Sequence, residues 1–303
     1  MNQSTLRRAG VALTAVALAA GLSGCGDKTG GAKAADGVGD VTQALTAAYE
    51  KTSAAKSAKF RMTMEVEGAG AGIGAGTTTM TGVQGWDPTV MDVTMSGGAF
   101  AAAEAAGGPS EMRMVMLDQV MYMDMGAKQA AQMDGKRWMK MDLAGLAKES
   151  GDASLQQLTQ GMGGTNQDPA QQLAILLESP GIKHVGPEKV EGVDTEHYKG
   201  SVSMDEVLKN EKSFPGMTAE QRKAFTASIE KTGVKGYDTE VWVDGDGFPA
   251  KMIVDMKMPQ GAMKLTAFYS DYGSKAAVQA PPAGETVDFV EMMKGLSEAG
   301  AEG

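Results

Sequence analysis

Phe60, Met62, Met64 and Val66 alternate with Arg61, Thr63, Glu65 and Glu67, and this period of two, met again along the chain, is what most limits the fold. Successive side chains of a strand point to opposite faces, so such a segment makes a half-buried strand, apolar on one side and polar on the other. Thr77 to Val83, Thr89 to Ser96, Glu111 to Leu117, Val120 to Met125 and Arg137 to Leu143 read the same way. Asp118-Gln119 and the stretch 126–136 are expected to connect them. Short strands are expected at Ile182 to Val185, Glu188 to Val190 and Glu196 to Met204. Tyr237 to Val243, Pro249 to Met258 and Ala262 to Tyr272 close the series, and Pro281-Pro282 is expected to end regular pairing.

Three helices are expected beside these strands. Asp40, with Gln43 three residues on as in a capping box, opens one whose inner stripe is Val41, Leu45, Ala48, Tyr49 and Thr52. Asp168-Pro169 starts a second, with Leu173, Leu176 and Leu177 inward, and Ser179-Pro180-Gly181 stops it. Thr218 with Gln221 begins a third carrying Phe225 and Ile229. The fold class is therefore α+β and rich in β. No internal repeat or second linker divides residues 40–290, so one domain is expected there, with a loose tail at 291–303.

The N-terminus carries an address. Arg7 and Arg8 precede an apolar run from Ala9 to Leu22, too short to span a bilayer, and Leu22-Ser23-Gly24-Cys25 follows. Leu-Ser-Gly-Cys resembles the lipobox of bacterial lipoproteins, which implies removal of residues 1–24 and a diacylglyceryl group on the Cys25 thiol. An ordinary signal peptide with a chance cysteine is the plain alternative. Cys25 is the only cysteine, so once it is acylated no disulfide can form and the fold rests on its core. Residues 25–39 read as the acylated cysteine and a flexible Gly-rich tether. Loss of Arg7 and Arg8 takes the 28 basic residues to 26 against 38 acidic ones, a mature charge of 26 − 38 = −12. Such a chain lacks the basic footprint of a nucleic-acid binder and is repelled by anionic headgroups. Membrane attachment is then left to the acyl chains, on the outer face of the cytoplasmic membrane, each buried CH₂ contributing about 0.8 kcal/mol.

Methionine occurs 24 times, and its placement is periodic. Steps of two or four put Met62 and Met64, Met91 and Met95, Met112, Met114 and Met116, Met121, Met123 and Met125, Met139 and Met141, and Met252, Met256 and Met258 each on one face of a strand. Val66, Val93, Leu143 and Val254 share those faces. Flexible, polarizable thioethers suit irregular apolar partners such as lipid tails. The pocket candidates are Met62, Met64, Val66, Met91, Val93, Met95, Met121, Met123, Met125, Met139, Met141, Met252, Val254 and Met256. The bland alternative is that these residues fill a core, and in a half-barrel both readings hold in part. Thioethers also bind Cu(I), but only His184 and His197 could assist and neither sits beside a ladder.

Other motifs are weak. Gly70-x-Gly72-x-x-Ala75 is followed by Thr77-Thr78-Thr79 where a nucleotide-binding helix would begin, so it reads as a hairpin or rim loop. Asp244-x-Asp246-Gly247 lacks the further ligands of a calcium loop and reads as a turn. Neither Gly-x-Ser-x-Gly nor His-Glu-x-x-His occurs, and Glu196 and His197, adjacent on a strand, face opposite sides. No enzyme, metal site or cofactor is expected beyond the acyl anchor.

The segment LTAAYEKTSAAKSAKF with the strand after it, the DPAQQLAILL helix, the EVWVDGDGFPAKM hairpin and the closing PPAGETVDF together resemble actinobacterial LppX/LprA/LprG-type lipoproteins over roughly residues 41–290. Residues 97–110 and 151–167, rich in Gly and Ala, depart from that pattern. The resemblance implies a LolA/LolB-like fold, a curved antiparallel sheet or half-barrel with helices on its concave side. It also implies a carrier whose cavity takes acyl chains. Two other functions compete: an envelope module docking an unidentified protein partner, and a Cu(I)-binding protein.

Overall fold

In the computed structural model, which describes residues 38–68, 75–105, 108–150, 169–177, 179, 181–209 and 219–292, the alternating segments join one sheet. Its strands are β1 (Ser57–Gly68), β2 (Gly76–Trp86), β3 (Thr89–Gly97), β4 (Glu111–Leu117), β5 (Val120–Asp124), β6 (Trp138–Asp142), β7 (Lys183–Val190), β8 (Val193–Ser203), β9 (Gly236–Asp244), β10 (Pro249–Met258), β11 (Gly261–Ser270) and β12 (Thr286–Asp288). The order β12-β6-β5-β4-β3-β2-β1-β11-β10-β9-β8-β7 leaves two edges, so the sheet is curved and unclosed. Residues 1–37, 69–74, 106–107, 151–168, 178, 180, 210–218 and 293–303 lie outside the described residues, and with them the expected signal segment, Cys25, most of the expected tether, the Gly70 motif, Asp168, Pro180 and Thr218.

Strand bounds follow the sequence pattern closely, and the turns explain why. Asp118 takes a left-handed φ of 54° between β4 and β5, and its N–H donates to Thr89 O at 2.9 Å. Asp244 Oδ1 accepts from the N–H groups of Asp246 and Phe248 at 3.0 and 2.9 Å, which makes Asp244 to Gly247 the expected turn. The expected short strands at 182–185 and 188–190 are one strand, β7, with a bulge between His184 and Gly186. Its hairpin with β8 turns at Glu191 and Gly192, both at positive φ. Pro281-Pro282 does not end the pairing: β12 follows and lies parallel to β6, with Thr286 opposite Trp138. The sheet is thus antiparallel except at this edge.

The helices are α1 (Val38–Ala55), α2 (Ala99–Ala105), α3 (Gly126–Ala130), α4 (Leu143–Ser150), α5 (Pro169–Leu177), α6 (Met204–Lys209) and α7 (Ala219–Thr232). Because α1 starts at Val38, Asp40 lies within its first turn and does not cap it. Its inward stripe is buried at Val41, Leu45, Ala48 and Thr52, whereas Tyr49 is 36% exposed and belongs to the outer side. Leu143, expected at the end of a strand, opens α4.

The core sits where α1 and α5 cover one end of the sheet. Val41, Leu45, Ala48, Leu173 and Leu176 pack with Tyr198, Val241, Val243 and Met252. Each fully buried leucine stabilises the fold by about 1.5–3 kcal/mol relative to exposure. Gly200 of β8 makes the close approach of α5 feasible, since a Cβ there would lie 2.7 Å from Leu176 Cδ1. At the C-terminal end of α1, Trp86 Nε1 donates to Ser53 O at 3.3 Å, tying the helix to β2.

Thr52 is fully buried, and its Oγ1 is the one buried side-chain polar atom among the described residues with no hydrogen-bond partner. An unsatisfied buried hydroxyl costs about 1–3 kcal/mol, so Thr52→Val, which keeps the branching, should raise stability by about 1 kcal/mol. Urea unfolding reads this directly; a lowered midpoint would mean that the hydroxyl is paired through water.

Candidate functional site: a methionine-lined sheet face

Directly opposed residues of an antiparallel pair share a face, so the register decides where the ladders point. Met141 stands opposite Met121, Met121 opposite Met116, Met116 opposite Met91, and Met91 opposite Gln84. The next row runs Met139, Met123, Met114, Val93, Gly82, Phe60 and Tyr269. A third runs Met112, Met95, Met80, Met62, Ala267, Met252, Val241 and Tyr198. Met64, Leu265 and Val254 form part of a fourth, and Val66, Met263, Met256 and Tyr237 of a fifth. All the strand-borne pocket candidates therefore lie on one face, the same one that α1 and α5 cover at its β8 to β10 end. Met125 follows β5 in the same alternation and donates its N–H to Arg137 O at 2.9 Å.

Burial splits the candidates. Val66, Met91, Val93 and Met252 are buried, so they are core. Met91 and Val93 form a second cluster with Phe60 and Met116. Met62, Met64, Met95, Met121, Met123, Met125, Met139, Met141, Val254 and Met256 are half-buried. Sequence reasoning left Met80, Met263 and Leu265 out of the pocket set, although the parity of their strands already places them with Met62 and Met256. Tyr237 stands among these residues, opposite Met256, and burial pushes its hydroxyl pKa up to about 12.

The other face is polar and ion-paired. Arg113 grips Asp92 with two hydrogen bonds, at 2.9 and 2.7 Å, and its guanidinium lies 5.6 Å from the centre of the Trp138 ring. Burial pushes the Asp124 carboxyl upward, but hydrogen bonds from Arg137 and the Gly126 N–H, with the charges of Arg137 and Arg113, together outweigh it and hold the group below the usual carboxylate range. His197 Nε2 lies 2.8 Å from Glu240 Oε2 and Nδ1 lies 3.3 Å from Glu188 Oε2, while the ring stacks on Trp242 at 4.1 Å. His184 instead meets Glu196 at 2.6 Å. The register sets His184 opposite Tyr198, at the far edge of the row that begins with Met112, and His197 on the other face. Neither histidine joins the methionines of β3 to β6.

A groove of about 370 Å³ opens at the ends of β7 to β9, rimmed by Glu188, Asp194, Glu196 and Asp244. None of the ladder methionines lines it. Among the described residues no group of three or more His, Cys, Asp or Glu could hold a metal ion, and no helix is long and apolar enough to cross a membrane.

An uncharacterized 31.2 kDa protein of Streptomyces griseus is 32% identical over 258 residues, spanning 83% of this chain and 80% of that protein. The chain belongs to its family. A Streptomyces coelicolor protein named "Putative lipoprotein" is 26% identical over 218 residues, covering 70% of this chain and 64% of its own length. Among solved structures, the lipoprotein LppX of Mycobacterium tuberculosis aligns over 80% of this chain and 99% of its own, with 11% identity and a TM-score of 0.45. No protein-family model matches the chain.

The raised Tyr237 pKa gives a pH test. An unfolded tyrosine ionises near about 10, so folding favours the neutral phenol. That contribution is complete below pH of about 10 and is lost as pH rises toward about 12. In an ultraviolet titration the native protein should show a late tyrosinate phase that shrinks in Tyr237→Phe. An unchanged late phase would mean that this part of the methionine face is wet.

Proposed function

We propose that the mature chain is an extracytoplasmic lipoprotein, acylated on Cys25, whose methionine-lined sheet face takes the acyl chains of a hydrophobic ligand and carries it within the envelope. The register is the observation that carries this reading: it gathers ladders from β1 to β6, β10 and β11 on one face, and leaves ten of the candidates half-buried. A face meant only as core would be closed over, as it is beneath α1 and α5. Thioether side chains have three rotatable bonds and polarizable sulfur, so they conform to chains of differing length and unsaturation. Each CH₂ taken from water contributes about 0.8 kcal/mol, so a long chain need lie against only part of the face. The lipoprotein name of the Streptomyces coelicolor relative supports the anchor. The net negative charge of the chain gives no grip on anionic lipid, which leaves attachment to the acyl group.

No catalytic role is assigned. His197 is held between Glu188 and Glu240 against Trp242, an arrangement that fastens β7, β8 and β9 together on the face opposite the methionines.

Two variants test the two halves of the reading. Cys25→Ala should leave the domain folded while the protein becomes soluble, secreted or held as an unprocessed precursor on fractionation. Protein that stays on the membrane after confirmed signal cleavage would mean that something other than acylation holds it. Met123→Trp tests the face, because Met123 is half-buried between Met114 and Met139. Filling open space avoids the typical cost of about 1–3 kcal/mol for overpacking a core. Co-purifying lipid should fall sharply with little change in the thermal midpoint. In a solid core the midpoint would instead drop by roughly 4 °C or more, since 1 kcal/mol shifts it by a few degrees. A wild-type protein carrying no lipid, with every ladder variant merely destabilised, would favour a protein-docking module.

A further inference from the structure

The thioethers of this face are chemically alike but differ in exposure. Across β4, β5 and β6, Met114, Met123 and Met139 form one row and Met116, Met121 and Met141 the next. Opposed Cβ atoms on neighbouring strands lie about 5 Å apart, within reach of one methionine side chain. Met114, Met121, Met123, Met139 and Met141 are half-buried, whereas Met116 is 1%, Met252 3% and Met91 6% exposed. Exposure thus separates reachable thioethers, those of β4 to β6 together with Met62, Met64, Met80, Met95, Met112, Met256 and Met263, from the sheltered Met91, Met116 and Met252. The β4 to β6 group is a patch where reachable methionines stand side by side on three neighbouring strands.

We propose that this patch is an oxidation site, at which a peroxide or hypohalous acid converts thioethers to sulfoxides and switches the face from acyl-binding to polar. With hydrogen peroxide, the sulfur lone pair attacks an oxygen, the O–O bond breaks, an S–O bond forms and water leaves; with a hypohalous acid the same S–O bond is completed as a halide ion and a proton leave. Sulfur loses two electrons and the oxidant gains them. Reversal needs a thiol-dependent sulfoxide reductase, which returns two electrons and releases water as two thiols form a disulfide. A sulfoxide is polar and chiral, and it accepts hydrogen bonds, so it brings water to a surface that otherwise meets hydrocarbon. The fold survives this because the buried clusters are centred outside the patch, on Leu45, Leu173 and Leu176 under the helices and on Phe60, Val93, Met91 and Met116 beside it, with Met114 alone of the five packed against the second cluster. The proposal rests on the acyl-binding reading, and it adds that bound ligand shields the patch from oxidant.

The test uses the full chain in phosphatidylcholine nanodiscs, a photoactivatable palmitate as probe and dilute hydrogen peroxide as oxidant. Peptide mass spectrometry should find Met114, Met121, Met123, Met139 and Met141 oxidised several-fold faster than Met91, Met116 and Met252. The probe should slow that oxidation. Cross-linking of the probe should fall several-fold after oxidation, while circular dichroism stays unchanged. A variant with leucine at those five positions should show no peroxide-induced loss relative to its own untreated level. Oxidation that is uniform, or faster at the sheltered methionines, overturns the patch. Cross-linking undiminished by complete oxidation, or lost together with the fold, overturns the switch and leaves the acyl-binding reading standing. Untreated protein that takes no probe overturns both.

Discussion

The pairing that runs from β6 through β3 and β1 to β8, shifted in register only between Pro249 and Lys251 of β10, is the constraint on which everything else in this protein depends. Side chains alternate with a period of two, so a slip of one residue in any pair would carry that strand's methionines to the solvent side. Turns and outer-face contacts fix the register together. The left-handed Asp118 and the Asp244 side chain set the β4/β5 and β9/β10 hairpins. Arg113 with Asp92, Lys199 with Glu240 and Ser201 with Asp238 then join neighbouring strands on the polar face. Exposed pairs of this kind contribute only about 0–1 kcal/mol each, so burial of the apolar face supplies most of the stabilisation. The outer pairs penalise wrong alignments, while the inner face rewards the right one.

That inner face is covered unevenly, and the unevenness links stability to function. Where α1 and α5 lie on it, branched and aliphatic residues dominate: Val41, Leu45, Leu173, Leu176 and Val241. These side chains have few rotamers and lose little entropy when fixed, which suits a core. Toward β4, β5 and β6 the same face is mostly methionine and remains half-buried. Ordering a methionine costs more side-chain entropy, so a face built of it stays adaptable until something packs on it. The rigid end supports the sheet, and the soft end is the part to which the proposed function assigns binding.

Much of this is legible in the sequence because alternation is a local signal. Strands β4 and β10 match their sequence-read bounds, and Leu173 and Leu176 are buried as the spacing of α5 requires. The face shared by the ladders can also be read strand by strand. Its assembly into rows cannot, because β1 lies beside β11 and β12 beside β6 through contacts that no local pattern encodes. The parallel edge strand gives no signal of its own, since Thr286 to Asp288 is three residues long and follows two prolines. Tyr49 borders the stripe of α1 at a helical angle where either side is open to it, so periodicity alone does not place it outside. Leu143 continues the parity of Met139 and Met141, yet the chain turns into α4 at that residue. Gly200 likewise carries no pattern, and the reason for a glycine there lies in the Leu176 side chain packed above it.

Methionine is a costly choice for a face that must also hold a fold together, and its distribution argues that packing alone did not select it. Leucine or valine at Met121, Met123, Met139 and Met141 would keep the alternation, the register and the burial, and the β-branched valine would favour a strand. What they would lose is the capacity of one surface to fit many shapes. The same substitutions would remove the thioethers that a mild oxidant can change. Adaptability and sensitivity to oxidant therefore come from a single atom type, so any gain in resistance at these positions is a loss in the range of shapes the side chains can fit. Sheltering Met91, Met116 and Met252 while leaving their neighbours reachable keeps that trade away from the centres of the buried clusters.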